Sequence, residues 1–169
     1  MAKSDTVFIY IGTYPNEDLA QYDYDVVKDL HWEGTVGGYD AAVITKDKSG
    51  KVHVNKDETA TRHGAWGGIA AGAVIGILFP PSIIGSAAVG AAVGGVGGHI
   101  WKGMSRSDVK ELGEFIDEGE ACLLVIGEAS IEDAVNDAPL KADKHVEKTL
   151  DVSAKDVDKA VKDTAQQLG

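Results

Sequence analysis

A chain of 169 residues with 44% hydrophobic residues is long enough to form one domain with its own core, and a single cysteine excludes a disulfide framework. The formal net charge of −11 disfavours nucleic acid as a partner, because a phosphate-binding surface requires clustered Lys and Arg side chains. The first five residues, Met-Ala-Lys-Ser-Asp, lack the apolar region of a secretory signal, so a cytoplasmic location is expected.

The chain begins with a predicted strand and helix. The run Val-Phe-Ile-Tyr-Ile at residues 7–11 is β-branched and aromatic, as in buried strands, and residues 12–16 are expected to form a turn. From Asn16 a helix of about fifteen residues is expected. Its apolar stripe comprises Leu19, Tyr22, Val26, Val27 and Leu30. Its carboxylates are expected to form a solvated surface: Asp23, Asp25, Asp29 and Glu33.

Two further strands are predicted before residue 60. Residues 39–45 are rich in Ala, Val and Ile, and residues 51–56 alternate between apolar and polar side chains, as in a half-exposed strand. The sequence Asp47-Lys-Ser-Gly50 between them predicts a turn.

The stretch from Gly64 to Ile100 contains no Asp, Glu, Lys or Arg. Pro80 and Pro81 lie near its middle and exclude one continuous helix, so a hairpin of two helical arms is predicted. Each arm carries three glycines at a four-residue spacing, which places them on one helix face and allows close helix packing, a glycine zipper. The predicted contact residues are Gly68, Gly72, Gly76, Gly90, Gly94 and Gly98.

Three environments are compatible with this hairpin, and the first is lipid. At 1.5 Å per residue the arms measure about 21 Å and about 30 Å, against a bilayer core of roughly 30 Å, so a half-inserted hairpin fits lipid better than two full spans. Aromatic and cationic residues at its open ends suit a membrane interface. These predicted anchors are Arg62, Trp66, Trp101 and Lys102. The second environment is the core of an oligomer, and the third is the core of a single chain.

After the hairpin, a helix and a strand are predicted. Ser105-Arg-Ser-Asp108 has the pattern of a capping box ahead of an amphipathic helix. Residues 120–127 form the most hydrophobic strand, and Cys122 within it is expected to be a buried small apolar residue. The order strand, helix, strand, strand, hairpin, helix, strand predicts an α+β fold, the ferredoxin-like βαββαβ arrangement, with two helices on one face of a four-stranded antiparallel sheet.

Three parts of the chain follow from this order. Residues 1–63 and 102–138 are expected to form the ferredoxin-like domain, and residues 64–101 its inserted helical hairpin. Residues 139–169 are expected to form an amphipathic helical tail with an apolar stripe, which either docks on its own domain or a neighbouring subunit or stays loose. The stripe comprises Val146, Leu150, Val157, Val161 and Leu168.

Residues for catalysis are not evident. The five histidines lie in five different predicted elements and no pair has metal-ligand spacing, so no metal site is expected. The glycine-rich stretches lack the Lys-Ser or Lys-Thr of a phosphate loop. No catalytic residue and no cofactor is therefore predicted.

The chain resembles the DUF1269 family, described as small membrane proteins of unknown function, and the wider group of general stress proteins with a glycine-zipper insertion. The resemblance covers about residues 5–135 and depends on the opening strand 7–11, the run Gly-Gly-Tyr-Asp-Ala-Ala-Val at 37–43, and residues 67–98 with their flanking tryptophans. It implies a non-enzymatic protein that is membrane-linked or self-assembling.

Three hypotheses for function remain open. In the first, the protein forms homo-oligomers whose hairpins embed in or coat a membrane, at its cytoplasmic face, with a stress-related role implied by the resemblance. In the second, the hairpins pack at the centre of a soluble shell or ring. In the third, the ferredoxin-like domain binds a small ligand against its open sheet face.

Overall fold

A computed structural model describes residues 6–32, 39–55, 69–79, 95–118, 121–129 and 131–168. Its strands are β1 (Val7–Tyr14), β2 (Tyr39–Lys46), β3 (Val52–Asn55), β4 (Ala121–Glu128) and β5 (Lys144–Leu150). Its helices are α1 (Glu17–Trp32), α2 (Ile69–Leu78), α3 (Gly95–Gly103), α4 (Arg106–Glu118), α5 (Ile131–Asp137) and α6 (Ala154–Leu168). The protein therefore has a mixed α+β fold, as predicted.

The five strands form one antiparallel sheet in the order β3-β2-β4-β1-β5. Four strands were predicted, and the ferredoxin-like order would put β3 between β1 and β2. Instead β4 lies there, with Ile9 opposite Ile126 and Val43 opposite Leu123. The physical reason is burial: β4 is buried from Ala121 to Gly127 and needs neighbours on both sides, whereas β3 has four residues and suits an edge.

Helices cover both faces of this sheet, so the prediction that two helices lie on one face is wrong. Side chains alternate along β1, which places Ile9 and Ile11 in one apolar cluster with α2, α3, α4 and α6. Phe8 and Tyr10 belong to the opposite cluster, with α1 and α5. We call these the hairpin face and the α1 face. Because both faces of the central strands are covered, those strands read as continuous apolar runs.

Local signals in the sequence account for several element boundaries. Asn16 Oδ1 accepts the amide of Leu19 at 2.9 Å and caps α1, as the sequence predicted. Ser105 and Asp108 form the predicted capping box of α4: each side chain accepts the other residue's backbone N–H at 3.1 Å. The turn between β2 and β3 is confirmed too, with Gly50 at φ +86°, a conformation that favours glycine.

The predicted turn at residues 12–16 is wrong in its first half. β1 continues to Tyr14, because Thr13 pairs with Cys122 on one side and with Lys144 on the other. Pairing with two strands extends β1 beyond its apolar run, and the helix begins at Glu17.

The C-terminal part is not a helical tail throughout. Residues 144–150 form β5, which pairs with β1 from Val7 opposite Leu150 to Thr13 opposite Lys144. The helical spacing of Val146 and Leu150 was therefore misleading. From Ala154 the predicted helix is confirmed, and its apolar side packs in the chain's own core through Val157, Ala160 and Val161.

The capping box makes a stability prediction. Ser105→Ala removes the acceptor for the Asp108 amide, and we expect the free energy of unfolding to fall by about 1 kcal/mol in urea titrations followed by circular dichroism. Lys110→Ala, on the exposed side of the same helix, is the control and should change it by less than about 0.5 kcal/mol. Equal changes in the two variants would contradict the capping assignment.

The docking of α6 makes a second prediction. Val157 is fully buried, and Val157→Ala should lower the free energy of unfolding of the whole chain by about 2 kcal/mol, because apolar surface loses its packing. Lys159→Ala on the exposed side of α6 serves as the control. A loose tail would instead give no change with Val157→Ala in thermal or urea unfolding.

Candidate functional site

The two described arms of the hairpin, α2 and α3, pack against each other and against α6. On α2, Ala73, Val74 and Ile75 are fully buried in the cluster of the hairpin face. On α3, Ile100 is buried in the same cluster. These four side chains therefore lie in the core of the single chain, which is the third of the three environments considered for the hairpin.

The outer side of α3 is different. Gly98, Trp101 and Lys102 are all exposed, and their spacing places them on one side of the helix. The Trp101 side chain is 53% exposed, although it is large and apolar. A Cβ added at Gly98 would meet no atom of the described residues within 4 Å, so this position is open. We call these three residues the α3 surface.

The remaining predicted hairpin residues divide into two groups. Gly72 and Gly76 lie in α2, as expected. Outside the described residues lie Arg62, Trp66, Gly68, Pro80, Pro81, Gly90 and Gly94. The zipper contact between the arms and the proline bend therefore stay predictions. None of the described helices combines the length and the apolar character that crossing a bilayer requires.

A buried polar cluster on the α1 face was not anticipated from the sequence. Asp23 was predicted to belong to a solvated surface, and this is wrong because its side chain is fully buried. Its Oδ2 accepts the Tyr14 hydroxyl at 2.5 Å and the backbone N–H of Lys141 at 2.7 Å. The hydroxyls of Tyr14 and Tyr10 are hydrogen-bonded to each other.

The tyrosines of this cluster are held in the neutral form. Burial raises the pKa of Tyr14 well above its ordinary value, and the hydrogen bond that it donates to Asp23 raises it further. Burial, together with the charges of Asp23 and Glu147, raises the pKa of Tyr10 to about 12. Both hydroxyls therefore keep their protons at neutral pH.

The segment between α5 and β5 closes over the cluster. Besides the Lys141 amide, the Asp143 amide bonds to the carbonyl of Thr13 at 2.9 Å. The Lys141 ammonium group lies 4.2 Å from the centre of the Tyr22 ring and not against a carboxylate of the cluster. On the β5 side, the ring of His145 stacks on Tyr10 at 5.6 Å between centroids.

One signal in the sequence could have located Asp23. It lies three residues after Ala20 and four before Val27, which are both fully buried, so it shares their side of α1. The predicted stripe included Val27 of this side but also Tyr22, which is 47% exposed, so it was centred too far from Asp23. The aspartate was assigned to solvent because of its charge, although its helical position was inward.

Three further titratable residues, Cys122, Lys148 and His53, are either buried in the core or paired with an acidic side chain. Burial raises the pKa of Cys122 to about 12, so this thiol is a buried apolar residue as predicted and not a nucleophile. Lys148 of β5 binds Glu111 at 2.7 Å and lies 3.7 Å from Asp108, which joins the sheet edge to α4. His53 contacts Asp47 at 2.8 Å in the β2–β3 turn. In the described ranges, no three His, Cys, Asp or Glu side chains form a metal-ligand group.

Gly12 provides the space for the Tyr10 hydroxyl and makes a third prediction. A Cβ at residue 12 would lie 2.5 Å from that hydroxyl and 3.0 Å from Cβ of Ala142. We expect Gly12→Ala to lower the free energy of unfolding by about 1–3 kcal/mol in urea titrations, because the ring must move. In a Tyr10→Phe background the same substitution should cost less, since the closest atom is gone. An equal cost in both backgrounds would contradict the assignment.

Comparison with known proteins gives one match. The family model DUF1269, described as a protein of unknown function, matches residues 65–162, more than half of the chain. The match extends through β5 and into α6, further toward the C-terminus than the resemblance seen in the sequence. No match was found among curated proteins or among solved structures.

Proposed function

We propose, from the premise that the chain belongs to the DUF1269 family, that it is a non-enzymatic structural protein that forms homo-oligomers and associates with membranes. The cytoplasmic face of the cell membrane is the proposed location. A stress-related role belongs to the same proposal and is supported by the sequence resemblance alone.

The observation that carries this proposal is the α3 surface. An exposed indole beside an exposed lysine, as in Trp101 and Lys102, is the pair of side chains found at the headgroup level of membranes. The ring can enter the apolar boundary while the ammonium group stays in water. Gly98, one turn earlier, presents no side chain that would hold the helix away from lipid.

The burial of α2 limits which residues can contact lipid. Ala73, Val74 and Ile75 are already packed in the core, so they are not free to insert. An interfacial association through α3 and the uncharged residues 80–94 that precede it is therefore the form of membrane contact that we propose. The many acidic residues outside this stretch favour neutral over anionic lipid, because like charges repel.

A soluble homo-oligomer is the second candidate function. The open space at Gly98 favours it, since two copies could pack their α3 helices closely at a glycine. In that arrangement Trp101 would be covered by the partner copy instead of by lipid. The same residues carry both candidates, so an experiment on Trp101 can separate them.

Flotation with phosphatidylcholine vesicles tests the proposal. We expect the wild-type chain to float with vesicles, and Trp101→Ser to reduce the bound fraction about tenfold, because one aromatic side chain loses its burial. Tyr22→Ser is the matched control, since Tyr22 is a comparably exposed aromatic residue on the α1 face. It should float like the wild type.

Light scattering without lipid decides between the candidates. Large particles that Trp101→Ser dissociates, combined with no flotation of the wild type, would favour the soluble oligomer. A wild-type chain that is monomeric in light scattering and does not float with vesicles would contradict both candidates.

A further inference from the structure

Asp23 is a buried carboxylate of which only one oxygen accepts hydrogen bonds. Its Oδ2 accepts two hydrogen bonds, from Tyr14 and from the Lys141 backbone, whereas no described residue gives a hydrogen bond to Oδ1. The ion pairs within the described part of the chain do not include Asp23 either. A fully buried carboxylate without a countercharge is strongly unfavourable. The unpaired oxygen Oδ1 therefore has no partner among the described residues.

A second carboxylate oxygen in the same cluster has the same property. Glu147 of β5 lies directly opposite Tyr10 in the ladder, which places both side chains on the α1 face. Its Oε1 is buried and has no hydrogen-bond partner among the described residues. Tyr10 is also linked through Tyr14 to Asp23. The charges of Asp23 and Glu147 both act on Tyr10, and each of these carboxylates has one buried oxygen without a hydrogen bond.

The cationic and aromatic neighbours do not neutralise this pair. The ammonium group of Lys141 lies over Tyr22. Lys148, the next residue after Glu147, points to the hairpin face and binds Glu111. His145 stacks its ring on Tyr10. The groups that contact Asp23 are the Tyr14 hydroxyl and the Lys141 N–H, and neither carries a positive charge.

We propose that Asp23 and Glu147, together with the hydroxyl oxygen of Tyr10, bind a hard divalent cation, Ca²⁺ or Mg²⁺. Two carboxylates balance a charge of +2, and oxygen is the donor that both ions prefer. Because the described residues supply two carboxylates and no third acidic or imidazole ligand, water completes the coordination, as is usual for Mg²⁺. The cation would hold β5 to α1 beneath the segment that carries Lys141.

Luminescence of Tb³⁺, which binds at calcium sites, tests the proposal on the full-length chain. Tyr10 and Tyr14 are close enough to transfer excitation to an ion bound at Asp23, so we expect emission that Ca²⁺ or Mg²⁺ displaces and NaCl at equal ionic strength does not. The ion that competes at the lower concentration is the one the site prefers. Thermal unfolding gives a second readout, with a rise in Tm on addition of that ion after chelator treatment.

Three variants make the result specific. Asp23→Asn and Glu147→Gln keep the size of each side chain and should each weaken Tb³⁺ binding by about tenfold or more, with loss of the Tm rise. Asp25→Asn is the matched control, because Asp25 is an exposed aspartate two residues further along α1 and should leave both readouts unchanged. Glu147 is partly exposed, so Glu147→Gln is expected to fold. It therefore provides the test if Asp23→Asn does not fold.

Two results would overturn the proposal. One is a wild-type chain with no sensitised emission and the same Tm in Ca²⁺, Mg²⁺ and NaCl at equal ionic strength. The other is equal loss of binding in Asp25→Asn and Glu147→Gln, which would indicate general attraction of cations to an acidic surface. Neither result bears on vesicle flotation, so the membrane proposal and the cation proposal fail independently.

Discussion

The structure depends on the two-sided burial of β1 and β4. Every residue from Val7 to Gly12 and from Ala121 to Gly127 is buried, so both faces of the sheet centre must be kept from water. One face takes α1 and α5, and the other takes α2, α3, α4 and α6. The uncharged stretch therefore supplies part of a core layer, and this requirement comes before any contact with lipid or a second copy.

Because of that requirement, the two hairpin arms differ in how much of their surface is buried. α2 is built from Ala, Val, Ile, Leu and Gly, and its central residues Ala73, Val74 and Ile75 pack inside the chain. α3 buries Ile100 but leaves Gly98 and Trp101 exposed. Composition alone treats the arms as equivalent, because it records how apolar each arm is and not which side of it the sheet covers. The proposed intermolecular contact follows from that difference.

Elements with local causes could be predicted from the sequence, and elements with distant causes could not. The caps at Asn16 and Ser105 act within three residues, so their patterns were sufficient. β5 reads Lys-His-Val-Glu-Lys-Thr-Leu, which has no apolar run, and it is a strand because β1 offers a free edge far away in the chain. Neighbouring signals cannot report such a pairing.

The polar cluster was hidden for the same reason. Asp23 can be buried only because Tyr14 and the Lys141 amide, 118 residues further along, both reach its Oδ2. Without those donors, the expectation of a solvated aspartate would have been sound. The family identification, in contrast, needed no geometry, and the match to residues 65–162 confirms it.

The two proposed activities lie on opposite sides of β1 and should therefore vary independently. Tyr10 points to the α1 face, and its neighbours Ile9 and Ile11 point to the hairpin face. Strands buried on both faces are rigid and closely packed, so they separate the two layers. β5 is the edge strand that contributes polar contacts to both layers, through Glu147 on one side and Lys148 on the other. A change at Glu147 on cation binding would therefore reach the helical layer most directly through the next residue, Lys148, whose ammonium group binds Glu111 of α4.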